Sequence, residues 1–113
     1  MWYQRRQNKY NSKRTSTQFG KFDSKKEAAY CEDLELMKRA GEILNYDRQV
    51  RFDLKGLNGG QIGYMRVDFL VEYSDGTKEV HEVKSNTTMT DVWRYKRNLF
   101  EDNYPEIKYV VIK

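Results

Sequence analysis

The stretch from residue 64 to residue 85 constrains the fold more tightly than any other part of the chain. In YMRVDFLVEY, residues 64–73, Met65, Val67, Phe69, Val71 and Tyr73 alternate with Tyr64, Arg66, Asp68, Leu70 and Glu72, which is the two-residue period of a strand. Ser74-Asp75-Gly76 then supplies a turn, and residues 77–85 resume an extended pattern, so the segment predicts an antiparallel hairpin. Loop length decides which side chains meet. A two-residue loop of Asp75 and Gly76 sets Asp68 against Val83 and sends Glu82 and Lys84 to the other face. A three-residue loop with Gly76 in a left-handed conformation instead sets Asp68 opposite Glu82 and Lys84 opposite Arg66, all on one face. Glycine in the last loop position suits the second turn.

The elements around this hairpin complete an α/β pattern. FDSKKEAAYCEDLELMKRAG predicts a helix from about residue 24 to residue 40, with Ser24 as N-cap, Glu27 completing a capping box and Gly41 as the stop. Its apolar stripe runs through Tyr30, Leu34 and Met37 with Cys31 on the flank, and Glu27 sits at the start of that stripe. Tyr46, Val50, Phe52 and Leu54 alternate along a strand. GLNGGQIG lacks the lysine and the strand-to-helix context of a phosphate loop and reads as a mobile hairpin connection. Thr88 or Thr90 caps a second helix, DVWRYKRNLFEDN, whose Val92, Tyr95, Leu99 and Phe100 should face the sheet, and IKYVVIK closes the chain as a strand reached by a helical crossover. The expected order is helix, three strands, helix, strand, a mixed sheet flanked by helices.

Charge divides the chain into two parts. Residues 1–22 hold Arg5, Arg6, Lys9, Lys13, Arg14 and Lys21 with no acid; the whole chain is +4, so the remainder carries about −2. Trp2, Tyr3, Tyr10 and Phe19 are interleaved with these cations, a mixture suited to phosphate contacts and base stacking. A solvated tail is the other reading of the same residues. The expected organisation is therefore a basic aromatic arm over 1–22 and a single domain over 23–113. Only 38% of residues are hydrophobic against 14% aromatic, which predicts a small, ring-rich core.

One Cys and one His leave no internal disulfide and no Cys/His zinc cluster, and they disfavour Ser/His/Asp catalysis. With no apolar run near the ~20 residues of a membrane span and no apolar stretch at the start, the expectation is no membrane partner and a cytoplasmic location.

If Asp68 and Glu82 share a face, their carboxylates repel unless a cation lies between them. Oxygen ligands on a sheet, away from His or Cys, favour Mg²⁺ or Mn²⁺, and Lys84 on the same face could neutralise charge developing on a phosphoryl group. That set suits phosphodiester hydrolysis; a solvated face with ordinary cross-strand pairing is the competing reading. His81 precedes Glu82, so it points to the opposite face and reads as structural.

The ordered set F-D-S-K-K-E, Q-V-R-F, R-V-D-F and H-E-V-K, followed by a basic aromatic helix, resembles the PD-(D/E)XK nuclease superfamily. It is similar in particular to small phage-encoded nucleases of that fold, Holliday junction resolvases among them, and to the catalytic domain of the endonuclease subunit of heteromeric transposases. The likeness spans about residues 20–113. It implies a restriction-endonuclease-like core, with Asp68 and Glu82 as metal ligands, Lys84 as the motif lysine and Glu27 as an additional acid from the first helix. Val67 stands where the motif has proline. Gln49 is placed near the site and Lys96 matches a basic residue of related nucleases. The implied activity is Mg²⁺- or Mn²⁺-dependent DNA cleavage leaving a 5′-phosphate, on branched or duplex DNA. A homodimer would supply two sites, and the setting would be a phage-infected host cytoplasm. Arg5, Arg6, Lys9, Lys13, Arg14 and Lys96 are the expected DNA contacts.

Overall fold

The computed structural model describes residues 24–84 and 89–113 in full, together with the backbone of three short strands, β1 (Trp2–Tyr3), β2 (Thr15–Thr17) and β3 (Gly20–Phe22). The chain continues through α1 (Lys25–Arg39), β4 (Asn45–Lys55), β5 (Gln61–Glu72), β6 (Lys78–Val83), α2 (Asp91–Asn103) and β7 (Lys108–Ile112). Strands β4 to β7 make a mixed sheet in the order 4-5-6-7, extended at its edge by β1, while β2 and β3 pair as a separate ribbon. Among the described strands only β6 and β7 pair in parallel, as the helical crossover through α2 requires. This is an α/β chain with a mixed sheet and two helices. All three short strands fall within the segment read above as an arm; Arg5, Arg6, Lys9, Lys13 and Arg14 lie outside the described residues.

Local chemistry accounts for the element ends. The Ser24 hydroxyl accepts from the backbone N–H of Glu27 at 3.1 Å, and Thr90 does the same for Trp93 at 3.1 Å, satisfying donors that the first helical turns leave open. Lys38 and Arg39 close the last turn of α1, where the helix dipole favours cations. Gly41 follows at φ +79°, the left-handed backbone that ends many helices. The glycine-rich connection is confined to 56–60, closed by Gly56 N–H to Gly60 O at 2.9 Å and by Gly59 N–H to Gly56 O at 3.0 Å, so Gln61 to Gly63 belong to β5.

Each helix covers a separate cluster. Trp93 and Phe100 of α2 pack with Val50, Phe52, Met65, Val67, Leu70, Val80 and Tyr109, whereas Ala28, Cys31 and Leu34 of α1 pack with Ile43, Phe69 and Val71. Two expected stripes therefore shift. On α1 the buried line is Glu27, Ala28, Cys31 and Leu34, with Tyr30 and Met37 at its margin. On α2 it is Trp93 and Phe100; Val92 and Tyr95 point outward, 66% and 68% exposed. Trp93 with Phe100 and Val92 with Leu99 share the same seven-residue spacing, nearly two whole turns, and Trp93 takes the buried line by packing against Tyr109.

The same clusters reveal a change of side in the sheet. Met65 and Val67 lie with α2, yet Phe69 and Val71, at the same strand parity, lie with α1. On β4, Val50 lies with α2 and Tyr46 with α1. The β4–β5 register is unchanged across the switch, Arg48 facing Phe69 and Val50 facing Val67. Both strands thus turn over together at the Gln49–Asp68 position, which the ladder skips. Gln49 is the cause on β4: its φ is +52°, and a left-handed residue redirects the side chains that follow it.

Candidate metal centre

The hairpin adopts the three-residue turn. Gly76 has φ +88°, its N–H bonds Tyr73 O at 3.0 Å, and Tyr73 N–H bonds Thr77 O at 2.9 Å. Phe69 pairs with His81 and Leu70 with Val80, so Asp68 and Glu82 stand next in line across the two strands.

At that point the backbone ladder gives way to a fork. The Asp68 N–H donates to Glu82 Oε2 at 3.0 Å, and the Val83 N–H donates to Asp68 Oδ2 at 2.9 Å. Beyond the fork β5 continues along β4, while β6 follows β7 through Glu82–Val111 and Val83–Ile112. Side-chain oxygens have taken over the carbonyls' role in the hairpin, each such bond contributing about 0.5–1.5 kcal/mol. The separation also changes one expectation: Lys84 does not face Arg66 across a ladder. Its N–H bonds Ile112 O at 2.9 Å, and its ammonium lies 3.8 Å from Glu82 Oε1 and 5.4 Å from the centroid of the Trp93 ring.

Asp68 and Glu82 are 6% and 5% exposed, a costly place for two like charges. Burial, and after it the negative charge of Asp68, pushes the Glu82 carboxyl well above the usual carboxylate range; Lys84 acts in the opposite direction and Glu27 adds a smaller rise. The Tyr109 hydroxyl, which accepts from Trp93 Nε1 at 3.2 Å, is raised by burial and by the nearby Glu82.

Glu27 reaches the same neighbourhood from α1. It is 4% exposed, and its Oε1 accepts from Gln49 Nε2 at 2.8 Å. Ser24 supplies its half of the capping box, but the Glu27 carboxylate is turned inward to Gln49 at the switch position. His81 is structural, as its parity implies: Nδ1 bonds the Tyr30 hydroxyl at 2.6 Å and Nε2 bonds Glu79 Oε1 at 3.0 Å. Lys96 is elsewhere, its ammonium 5.6 Å from the centroid of the Tyr64 ring.

Among the described residues no group of three or more His, Cys, Asp or Glu forms a ready-made metal cage. The donor set still fits a hard cation of one kind. Mg²⁺ is usually held by one or two carboxylates and completes its shell with waters and substrate phosphate oxygens. Two carboxylates in a fork, with a third behind them, match that habit. Trp93 and Tyr109, which floor the Lys84 and Glu82 side of the site, were not anticipated. Spacing offered no signal for Trp93, because Val92 and Leu99 are the same seven residues apart as Trp93 and Phe100.

A family model described as a protein of unknown function, DUF1064, matches residues 7–113. The chain belongs to that family. Comparison with curated proteins and with solved structures gives no match. The match spans the acids and lysine of the fork in this DUF1064 chain, from Glu27 on α1 to Lys84 after β6, and begins after Arg5 and Arg6. Among the described residues, no helix is long and apolar enough to cross a membrane.

Proposed function

We propose that this protein is a divalent-metal-dependent DNA endonuclease of the PD-(D/E)XK kind, with a restriction-endonuclease-like core and branched DNA, such as a Holliday junction, as its leading substrate. The observation that carries the reading is the fork. Two buried carboxylates bridge the diverging strands, Lys84 stands beside them, and Glu27 enters from the first helix, the element order and residue set of that superfamily. Burying two acids together is unfavourable unless something positive binds there, and Lys84, 3.8 Å from Glu82, supplies part of that charge.

Asp68 and Glu82 would hold Mg²⁺ or Mn²⁺, with Glu27 as a further ligand or a ligand through water, and the ion would polarise a phosphoryl oxygen and acidify a bound water. Lys84 neutralises charge that grows on the phosphoryl oxygens. Trp93, under the Lys84 ammonium, keeps that cation in position. In the hydrolysis that the resemblance implies, a water oxygen bonds to phosphorus as the bond to the 3′-oxygen breaks. One water proton ends on the departing oxygen, leaving a 3′-hydroxyl and a 5′-phosphate. Cutting both strands of a junction takes two such sites, hence two copies of the chain. The basic residues of 1–22 are assigned to the DNA backbone, and phage recombination or replication is the proposed setting.

A cleavage assay on labelled junction, nicked, single-stranded and linear DNA, with Mg²⁺, Mn²⁺ or a chelator, tests this. The expected result is cation-dependent cutting, fastest on the junction. Asp68→Ala, Glu82→Ala and Lys84→Ala should each lower the rate by more than about a hundredfold while junction binding persists, since even supporting residues of metal sites are worth 10–100-fold. Binding that survives chelation, with a Glu82→Ala variant equal to the parent, would identify a non-catalytic nucleic-acid-binding module instead.

A further inference from the structure

Gln49 carries two anomalies that the core alone does not explain. Among the described residues it is the sole non-glycine residue with positive φ, at +52°, in the middle of the eleven-residue strand β4. Such a backbone costs about 1–3 kcal/mol and persists where the surroundings enforce it. Its side chain is 9% exposed, its Nε2 is committed to Glu27, and its Oε1 is buried with no hydrogen-bond partner. An orphaned buried carbonyl oxygen costs a further 1–3 kcal/mol or so. The residue stands across from Asp68, between the pairs Arg48–Phe69 and Val50–Val67 of one register.

We infer that Gln49 is a positioning residue of the fork, fixing the Glu27 carboxylate through Nε2 and offering Oε1 as acceptor to a water held beside Asp68 and Glu82. A water has two protons to donate. With Gln49 Oε1 and Glu27 as its two acceptors, its two lone pairs are left free, one for the ion and one for phosphorus. The left-handed backbone is what permits this. It turns β4 over at the position where β5 also turns, so the side chain from residue 49 reaches the α1 carboxylate instead of following the alternation of its strand. The inference rests on the proposed function, because the water matters only if the acids hold an ion.

The test combines Mn²⁺ binding by calorimetry, thermal unfolding with and without Mn²⁺, and steady-state cleavage, on the parent, Gln49→Met, Gln49→Glu and Asp68→Ala. Gln49→Met keeps the size of the side chain and removes both polar atoms. It should weaken Mn²⁺ binding about tenfold and lower kcat by about 10–100-fold, the range for groups that support metal ligands, with KM for DNA within about twofold. Gln49→Glu keeps the acceptor and adds a charge beside Glu27. Its melting temperature in chelator should fall, and Mn²⁺ should raise it by more than it raises the parent's. Should Gln49→Met fail to fold, this ion-dependent rise in Gln49→Glu decides the matter. Parental Mn²⁺ affinity, kcat and ion-induced shift in both variants, with binding lost in Asp68→Ala, would overturn the Gln49 inference alone. A parent that binds no Mn²⁺, or an Asp68→Ala variant that binds it normally, would overturn the endonuclease reading and this inference together.

Discussion

Glu82 shows at the scale of one residue what the site asks of the protein. Its carboxyl is raised by burial and by Asp68, so the folded metal-free chain retains a proton there that the unfolded chain releases in the ordinary carboxylate range. The sign follows from linkage. The stability this group contributes is fully present below the unfolded value and is lost as pH rises through the raised folded one. Thermal melts in chelator should therefore fall across that window. Glu82→Gln, which keeps an oxygen for the Asp68 N–H but carries no charge, should flatten the decline, and Mg²⁺ should oppose it in the parent only. A parent whose melts in chelator do not fall with pH would contradict this. Asp68, Glu82 and Lys84 could be singled out from residue spacing because one turn, Ser74-Asp75-Gly76, sets the hairpin register and Gly76 selects its type. Gln49 could be placed near the site only by resemblance. Arg48-Gln49-Val50 holds no glycine or asparagine to announce a left-handed backbone, and the conformation comes from tertiary demands.

At the scale of elements, the helices were legible at their ends and less so on their faces. Ser24 and Thr90 act as caps, and both helices stop within a residue or so of the expected position. The stripe of α2 was misplaced because Val92 and Tyr95 are as apolar as Trp93, and only the packing partner decides among them. The consequence is measurable. Phe100 is fully buried and meets Phe52 edge-on with ring centroids 4.9 Å apart. Phe100→Ala should cost about 3–5 kcal/mol in denaturant unfolding, whereas Val92→Lys should stay within about 0.5 kcal/mol of the parent. Equal losses would mean that α2 is seated with Val92 against the sheet. The turnover of β4 and β5 had no sequence signal of its own. Alternation in 64–73 runs unbroken through Asp68, and strand periodicity is blind to a rotation that leaves the register intact.

Across the whole molecule, a thin sheet is covered by one helix on each side, and the fork is where groups from both layers meet. Glu27 comes from α1, Lys84 rests on Trp93 of α2, and Asp68 and Glu82 lie between them on the diverging strands. The order of helix, hairpin, crossover helix and parallel strand was readable from alternation, caps and the single helical crossover, because each is a local pattern. The fork was not, because it exists only where β6 leaves β5 to follow β7. The central claim is that this fork holds a divalent cation. Anomalous diffraction from crystals soaked in Mn²⁺ addresses it directly. A peak within bonding distance of Asp68 and Glu82, absent from Asp68→Ala crystals, is the predicted result; fully occupied Mn²⁺ sites elsewhere with nothing between those two carboxylates would contradict the account.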